Sequence, residues 1–398
     1  LTWWRSKILL LLFCCPLFSS GQDRSYAKSW VDTLASDTFA GRGYVDNGQQ
    51  LAADAIAREF YRLGLESIGK DYKQWFSLEV NSFPDTLGLK LNGKLLHPGT
   101  HYLAHPMSQP GSGTKARPGK TVQVVKREET ARQLAHQSPP PVLIETTSQP
   151  LIWSVGRDVH RQVRFIVQDS VMPKKLRRVD YIINSTFSEQ QQANVVGLIR
   201  GSRQPDSFLV ICAHYDHLGK MGTQTMFPGA HDNASGTAMV LDLARHFSQP
   251  ETRPEYSLLF IAFGAEEAGL VGSRFFAENP LVPLSNIRFV VNLDLLGGGS
   301  EGLTVVNATS HPDAYDFLVT RNASRYQLPK IVARENTQNS DHYPFTRKKV
   351  PAFFLYTLGD VTAYHNIYDT ADMLPFSRYE AVFGLIADFA TYLQGREY

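Results

Sequence analysis

Glu266 and Glu267 are adjacent, between the apolar run Ser257 to Phe263 and Ala268 to Phe276, which reads as a helix. Neighbouring carboxylates at a buried strand end raise one another's pKa or need a cation between them. Other apolar runs end on residues of the same chemistry. Phe208 to Ala213 runs into His214, with Asp216 two residues on; Ile287 to Leu293 runs into Asp294; Ala352 to Thr357 leads to a loop with Tyr364 and His365. Asp232 lies in Gly229-Ala-His-Asp-Asn-Ala-Ser-Gly236, ahead of the helical pattern Thr237 to Phe247. Open α/β sheets bind ligands outside the carboxyl ends of their strands, and each of these residues falls at that edge.

Taken singly, each has an ordinary explanation. His214 and His365 read as a strand-end and a loop histidine, Asp232 as a helix N-cap, and Asp294 as turn chemistry before Gly297-Gly-Gly299. Taken together, His214, His365, Asp232, Asp294 and a carboxylate of the Glu266–Glu267 pair suit zinc, because imidazole favours zinc over magnesium or calcium. Five ligands exceed the needs of one tetrahedral ion with an open position. Two ions sharing one carboxylate, about 3.5–4 Å apart, use them all.

The elements that must position these residues come from alternation. Helix 237–247, strand 257–263, helix 268–278, strands 287–294 and 302–306, helix 312–325, strand 352–357 and helix 373–394 predict a largely parallel sheet with helices on both faces. Asn194 to Ile199 and Phe208 to Ala213, separated by the turn-rich Gly201 to Asp206, predict a hairpin. Ser25 to Leu65 reads as helical, with Leu51, Ala55, Ile56, Phe60 and Leu63 on one face. From about Phe83 to Val179 the texture changes to short β-like runs such as Thr121 to Val125 and Val163 to Val167, broken by turns and by Pro139-Pro140-Pro141. The expected division is a signal peptide at 1–20, a discontinuous catalytic domain at 21–82 and 190–398, and an inserted β-rich domain at 83–189. The insert offers no catalytic cluster of its own.

Composition bounds the function. The 398 residues are 43% hydrophobic and 20% charged with a net charge of +2, ordinary for a globular enzyme and no electrostatic case for nucleic acid. The cluster Lys174, Lys175, Arg177 and Arg178 reads as a solvated loop. Arg5 and Lys7, the apolar stretch Ile8 to Phe13 and the small residues Ser19, Ser20 and Gly21 have the order of a secretory signal, too short to span a membrane. A lipoprotein signal using Cys14 or Cys15 is the alternative, disfavoured by the bulk of Phe13. Without the leader only Cys212 remains, in an apolar strand, and it reads as a core residue. The expected location is secreted or periplasmic.

The strings Ala213-His-Tyr-Asp-His-Leu-Gly219, Gly229-Ala-His-Asp-Asn-Ala-Ser-Gly236, Ala265-Glu-Glu-Ala-Gly-Leu-Val-Gly-Ser273, Asn292-Leu-Asp294, Ser340-Asp-His342 and Tyr364-His-Asn-Ile-Tyr-Asp-Thr370 resemble, in order, the signature blocks of the M28 family of zinc metallopeptidases. Leu34-Ala-Ser-Asp-Thr-Phe-Ala-Gly-Arg-Gly43 resembles the lead-in of secreted members, while the middle insert is only loosely similar to protease-associated or apical β domains. The resemblance implies two zinc ions bridged by Asp232, with His214 and Asp294 on one and Glu267 and His365 on the other. It implies Glu266 as the general base acting on a metal-bridging water, and Asp216 as the residue holding the His214 ring. Residues two positions apart on a strand share a face, in keeping with that last role. Tyr364 could donate its hydroxyl to a developing oxyanion.

The activity so implied is that of a secreted exopeptidase, an aminopeptidase first. A family carboxypeptidase is one alternative and would need a cationic pocket for a terminal carboxylate. Glutaminyl cyclase chemistry and a non-catalytic receptor-like protein are the others, and both lose part of the ligand set kept here. His217 stays unassigned, Asn233 is taken to hold the Asp232 loop or to contact substrate, His231 as a non-ligand, Asp341 as orienting substrate or the neighbouring loop and His342 as structural. Arg42 and Arg334 are possible substrate contacts.

Overall fold

A computed structural model describes residues 24–130 and 140–396. The leader at 1–20 and Pro139 of the proline run lie outside the described residues. The apolar runs form a nine-stranded sheet. In chain order its strands are β1 (Glu66–Ser67), β2 (Lys73–Ser82), β3 (Thr186–Ile199), β4 (Gln204–His214), β5 (Tyr256–Phe263), β6 (Ile287–Leu293), β7 (Gly302–Val306), β8 (Ile331–Arg334) and β9 (Ala352–Leu358). Across the sheet the order is β1-β3-β5-β4-β6-β9-β7-β8, with β2 also on β3. The central strands β5, β4, β6 and β9 are parallel, whereas β3 and β7 run antiparallel to β5 and β9.

Helices cover both faces: α1 (Arg24–Leu34), α2 (Gly48–Arg62), α3 (Ser235–Phe247), α4 (Val271–Glu278), α5 (Pro312–Arg321), α6 (His342–Arg347) and α7 (Tyr379–Leu393). Side chains alternate across a strand, so one face of the sheet carries Leu209, Ile211, Leu258, Phe260 and Phe289 into a core with α1, α2, α3, α5 and α7. The other face carries Val210, Cys212, Leu259, Ile261 and Phe263 against Phe276 of α4 and Phe345 of α6. β5 is buried along its whole length, as expected of a strand covered on both sides. Each such apolar side chain contributes about 1.5–3 kcal/mol by leaving water.

The expected hairpin between 194–199 and 208–213 does not form. β5 lies between β3 and β4, antiparallel to the first and parallel to the second. A turn-rich linker permits a hairpin but cannot require one, and β5, buried on both faces, takes the central place. The single helical stretch 25–65 is two helices separated by a 3₁₀ segment at Asp37–Arg42, and Leu51 is 38% exposed instead of buried on the apolar face. The final helix begins at Tyr379 instead of 373, and α5 ends at Arg321 in one π turn, Asn322–Tyr326.

Between β2 and β3 the chain builds two four-stranded sheets. One orders Lys94–Leu95, Leu87–Leu91, Val179–Ile183 and Gly111–Ala116; the other orders Tyr102–Ala104, Val163–Gln168, Val142–Thr147 and Val122–Lys126. Their apolar core is continuous with Leu218 and with Met221 and Phe227 of the hairpin that follows β4.

Candidate metal centre

Strand ends aim most of the candidate residues. His214 closes β4 in register with Phe263 of β5, and its carbonyl accepts from Thr237 Oγ1 at 2.8 Å. Asp294 follows β6, and its N–H donates to Leu355 O of β9 at 3.1 Å. Asp232 sits at the entrance to α3, where its N–H and that of His231 donate to Asp369 Oδ2 and Oδ1 at 3.0 and 2.7 Å. Gly236 lets this entrance press against β6, since a Cβ there would come within 2.6 Å of Leu293 O.

The side chains meet in two triangles that share Asp232. His214 Nε2 lies 3.4 Å from both Asp232 Oδ1 and Asp294 Oδ1. His365 Nε2 lies 3.0 Å from Asp232 Oδ2 and 3.1 Å from Glu267 Oε2. Each carboxylate oxygen of Asp232 thus faces its own histidine and its own second carboxylate. Both rings are anchored by backbone carbonyls: His214 Nδ1 is 3.2 Å from Asp216 O, and His365 Nδ1 is 3.1 Å from Trp153 O. A carbonyl only accepts, so Nδ1 carries the proton in each ring and the Nε2 lone pair points at two carboxylate oxygens.

Lone pairs aimed at carboxylates call for a positive charge between them. Burial opposes protonation of His365, but Glu267 and Asp232 outweigh it and push its pKa up to about 11. His214 is likewise raised, against burial, by Asp294 and Glu266. Burial works against the charge of Glu267 too, yet His365 and His217 hold it down at about 2. Asp294 Oδ1 is buried with no hydrogen-bond partner. Among the described residues the ion-pair partners of Asp232, Glu267 and Asp294 are histidines, and no lysine or arginine forms a direct ion pair with these carboxylates. Nitrogen and oxygen donors converging on two points, with an orphaned carboxylate oxygen, fit divalent zinc.

Glu266 borders the same cavity of about 200 Å³, together with Asp294, Leu295, Arg334, Phe354, Tyr356 and Tyr364. Burial and the neighbouring carboxylates of Asp341, Glu267 and Asp294 push its pKa well up, although His214 pulls the other way. Tyr364 stacks on the His365 ring, centroids 3.9 Å apart, and remains partly exposed. The Asp216 carboxylate is a more distant partner of the His214 ring than the carbonyl of the same residue. It stands 3.7 Å from Nδ1 and accepts from the N–H groups of Glu266 and Glu267 at 3.0 and 3.2 Å, fixing the pair's backbone, while its carbonyl takes the ring.

Of the surrounding residues, His217 and Ser340 had no role assigned from sequence. His217 Nδ1 lies 2.8 Å from Glu267 Oε1, leaving Oε2 to face His365. Ser340 Oγ donates to Asp294 Oδ2 at 3.1 Å and accepts from Asn292 Nδ2. His231 Nδ1 accepts from Gly297 N–H at 3.2 Å, and burial lowers its pKa to about 4. Asp341 is buried and raised to about 7, chiefly by burial, and neither of its carboxylate oxygens has a hydrogen-bond partner. Neither ring nitrogen of the buried His342 has one. Asn233 donates to Leu293 O and accepts from Gly236 N–H, tying the Asp232 loop to β6. Arg42 is no substrate contact: it is wholly buried, and its guanidinium donates to the carbonyls of Leu34, Tyr215, Pro228 and Gly229.

The fold and the paired triangles define an α/β protein with a histidine–carboxylate metal centre at the carboxyl edge of its parallel strands. Residues 194–390 match the model of peptidase family M28, and the chain belongs to that family. Over 114 residues it is 38% identical to a probable zinc metalloprotease of Pyricularia oryzae, covering 28% of this chain and 22% of that protein. Over 166 residues it is 31% identical to aminopeptidase YwaD of Bacillus subtilis, covering 40% and 34%. The curated relatives are thus matched over roughly a fifth to a third of their length. An aminopeptidase from Aneurinibacillus sp. strain AM-1 shares the fold, with a TM-score of 0.67, 20% identity and coverage of 94% and 95% of the two chains. No helix among the described residues is long and apolar enough to cross a membrane.

Proposed function

We propose that this chain is a secreted di-zinc exopeptidase that removes N-terminal residues from peptides. The observation that carries the reading is the sharing of Asp232, whose two oxygens face separate histidine–carboxylate pairs at 3.0 and 3.4 Å. His214 and Asp294 would hold one ion, Glu267 and His365 the other, with Asp232 between them. Bound there, zinc supplies Lewis acidity and makes water a nucleophile near neutral pH. Glu266, coordinating neither ion, takes a proton from the attacking water and returns one to the leaving amine. Asp216 holds the backbone of both glutamates, and the Tyr364 hydroxyl is the donor for the oxyanion. The segment 83–189 is the insert in a discontinuous catalytic domain, and the leader at 1–20 directs export.

A second reading, release of C-terminal residues, is favoured by Arg334. It ends β8, lines the cavity and donates to Tyr356 Oη at 2.9 Å, placing a cation where a terminal carboxylate could be received. Purified protein incubated with peptides blocked at one end or the other separates the two. Cleavage that needs a free N-terminus, and that stops with chelator, supports the aminopeptidase. Cleavage of N-acetylated peptides from a free C-terminus, lost in Arg334→Ala, supports the second reading. Glu266→Gln should keep two zinc ions and lose about 10² to 10⁴-fold in turnover; full turnover with both ions bound would end the proposed base role.

A further inference from the structure

His365 is a candidate ligand whose ring and backbone are held by the middle segment. It lies on the loop after β9 with a φ of 51°, in the left-handed region that costs a non-glycine residue on the order of 1 kcal/mol. Two hydrogen bonds from the middle segment compensate. Trp153 N–H donates to His365 O at 3.0 Å, and His365 Nδ1 donates to Trp153 O at 3.1 Å. One residue of the insert therefore sets both the backbone and the ring tautomer of His365.

Trp153 is itself firmly held. Its indole Nε1 donates to Ala104 O at 2.9 Å, and its ring stacks on Phe227 at 4.8 Å and packs against Phe83 at 5.7 Å. Phe227 immediately precedes the segment that carries Asp232, so this indole touches the approaches to two residues of the same triangle. Close packing continues beside it: Ile367 meets the insert's core, and a Cβ on Gly99 would fall 2.8 Å from its Cγ2.

We propose that Trp153 is a positioning residue for one of the two metal sites, so that the inserted segment sets the affinity of the Glu267–His365–Asp232 site and leaves the His214–Asp294 site to the sheet. The inference rests on the di-zinc reading. Trp153 meets His365 through its backbone, and its indole, stacked on Phe227 and bonded to Ala104 O, holds that backbone in place. Removing the side chain therefore loosens the carbonyl partner of the ring, and disturbing such a partner typically weakens metal binding about 10 to 100-fold.

The test is zinc content per chain, measured on the full-length protein across a chelator series, for wild type, Trp153→Ala, Trp153→Phe and His365→Ala. The expected result is two ions in wild type and one in His365→Ala. Trp153→Ala should release one of its two ions at a chelator concentration at least tenfold lower than wild type, with the other ion unmoved. Trp153→Phe, which keeps the ring stack but not the indole donor, should fall between. Far-ultraviolet circular dichroism reports folding, and if the alanine variant does not fold, the phenylalanine variant decides. Wild-type chelator resistance of both ions in the folded variants overturns the inference while leaving the di-zinc reading intact. Fewer than two ions in wild type overturns the reading, and this inference with it.

Discussion

The two triangles of the centre are built from similar side chains but stand on different supports. His214 and Asp294 leave the ends of adjacent parallel strands, and the carbonyl that holds the His214 ring comes from Asp216, two residues along the same chain. His365 arrives on a loop, and its ring is held by Trp153, 212 positions away in sequence. The first half is fixed by the ladder of the sheet. The second is fixed by packing between the sheet and the segment inserted in it, so the two halves should fail differently when disturbed.

The largest expected effect removes what the halves share. Arg42 spans the backbone on either side of the centre, from Tyr215 beyond β4 to Gly229 before Asp232. Burial lowers its pKa to about 10, against the pull of Asp369 and Asp232, so it stays charged at neutral pH. Arg42→Ala leaves several buried carbonyls unpaired and should cost about 3 kcal/mol or more in chemical denaturation, with both ions lost together. Loss of a single ion, or unchanged stability, would show that the halves do not depend on this arginine.

A smaller effect distinguishes the halves. Of the candidate ligands Ser340 bonds only Asp294, so Ser340→Ala should weaken one zinc ion about tenfold and spare the other. Weakening of both would argue that the triangles are mechanically one.

The mildest effect is in pH. In zinc-stripped protein the raised pKa of His365 stabilises the fold fully below the unfolded value near 6.5 and fades as pH rises through about 11. Melting temperature of the stripped protein should therefore decline across that window. His365→Gln should decline less, keeping the part due to His214, which is shifted in the same direction. An equal decline in both proteins would remove His365 from the account.

Much of this comparison can be traced in the sequence. His214, Glu266, Glu267 and Asp294 are conspicuous because each ends an unbroken apolar run, and burial on both faces leaves a polar residue few other reasons to stand there. The fold class follows from the same runs. What could not be read is the support. Strand order is set by which buried strand takes the centre, so the turn between β3 and β4 was misleading. β8 and α6 are too short to show a period, with β8 half exposed. The Trp153 and Asp216 carbonyls leave no mark in side-chain identity at all. Arg42 is ambiguous in a different way, since an arginine that satisfies carbonyls and one that meets a substrate look alike until burial is known.

The central claim is that one carboxylate joins two metal sites, and metal analysis of Asp232→Ala tests it most directly. With folding confirmed by circular dichroism, the account expects wild type to hold two zinc ions and the variant to lose high-affinity binding of both. Retention of either ion at wild-type affinity would contradict it, because that site would then stand without the shared residue.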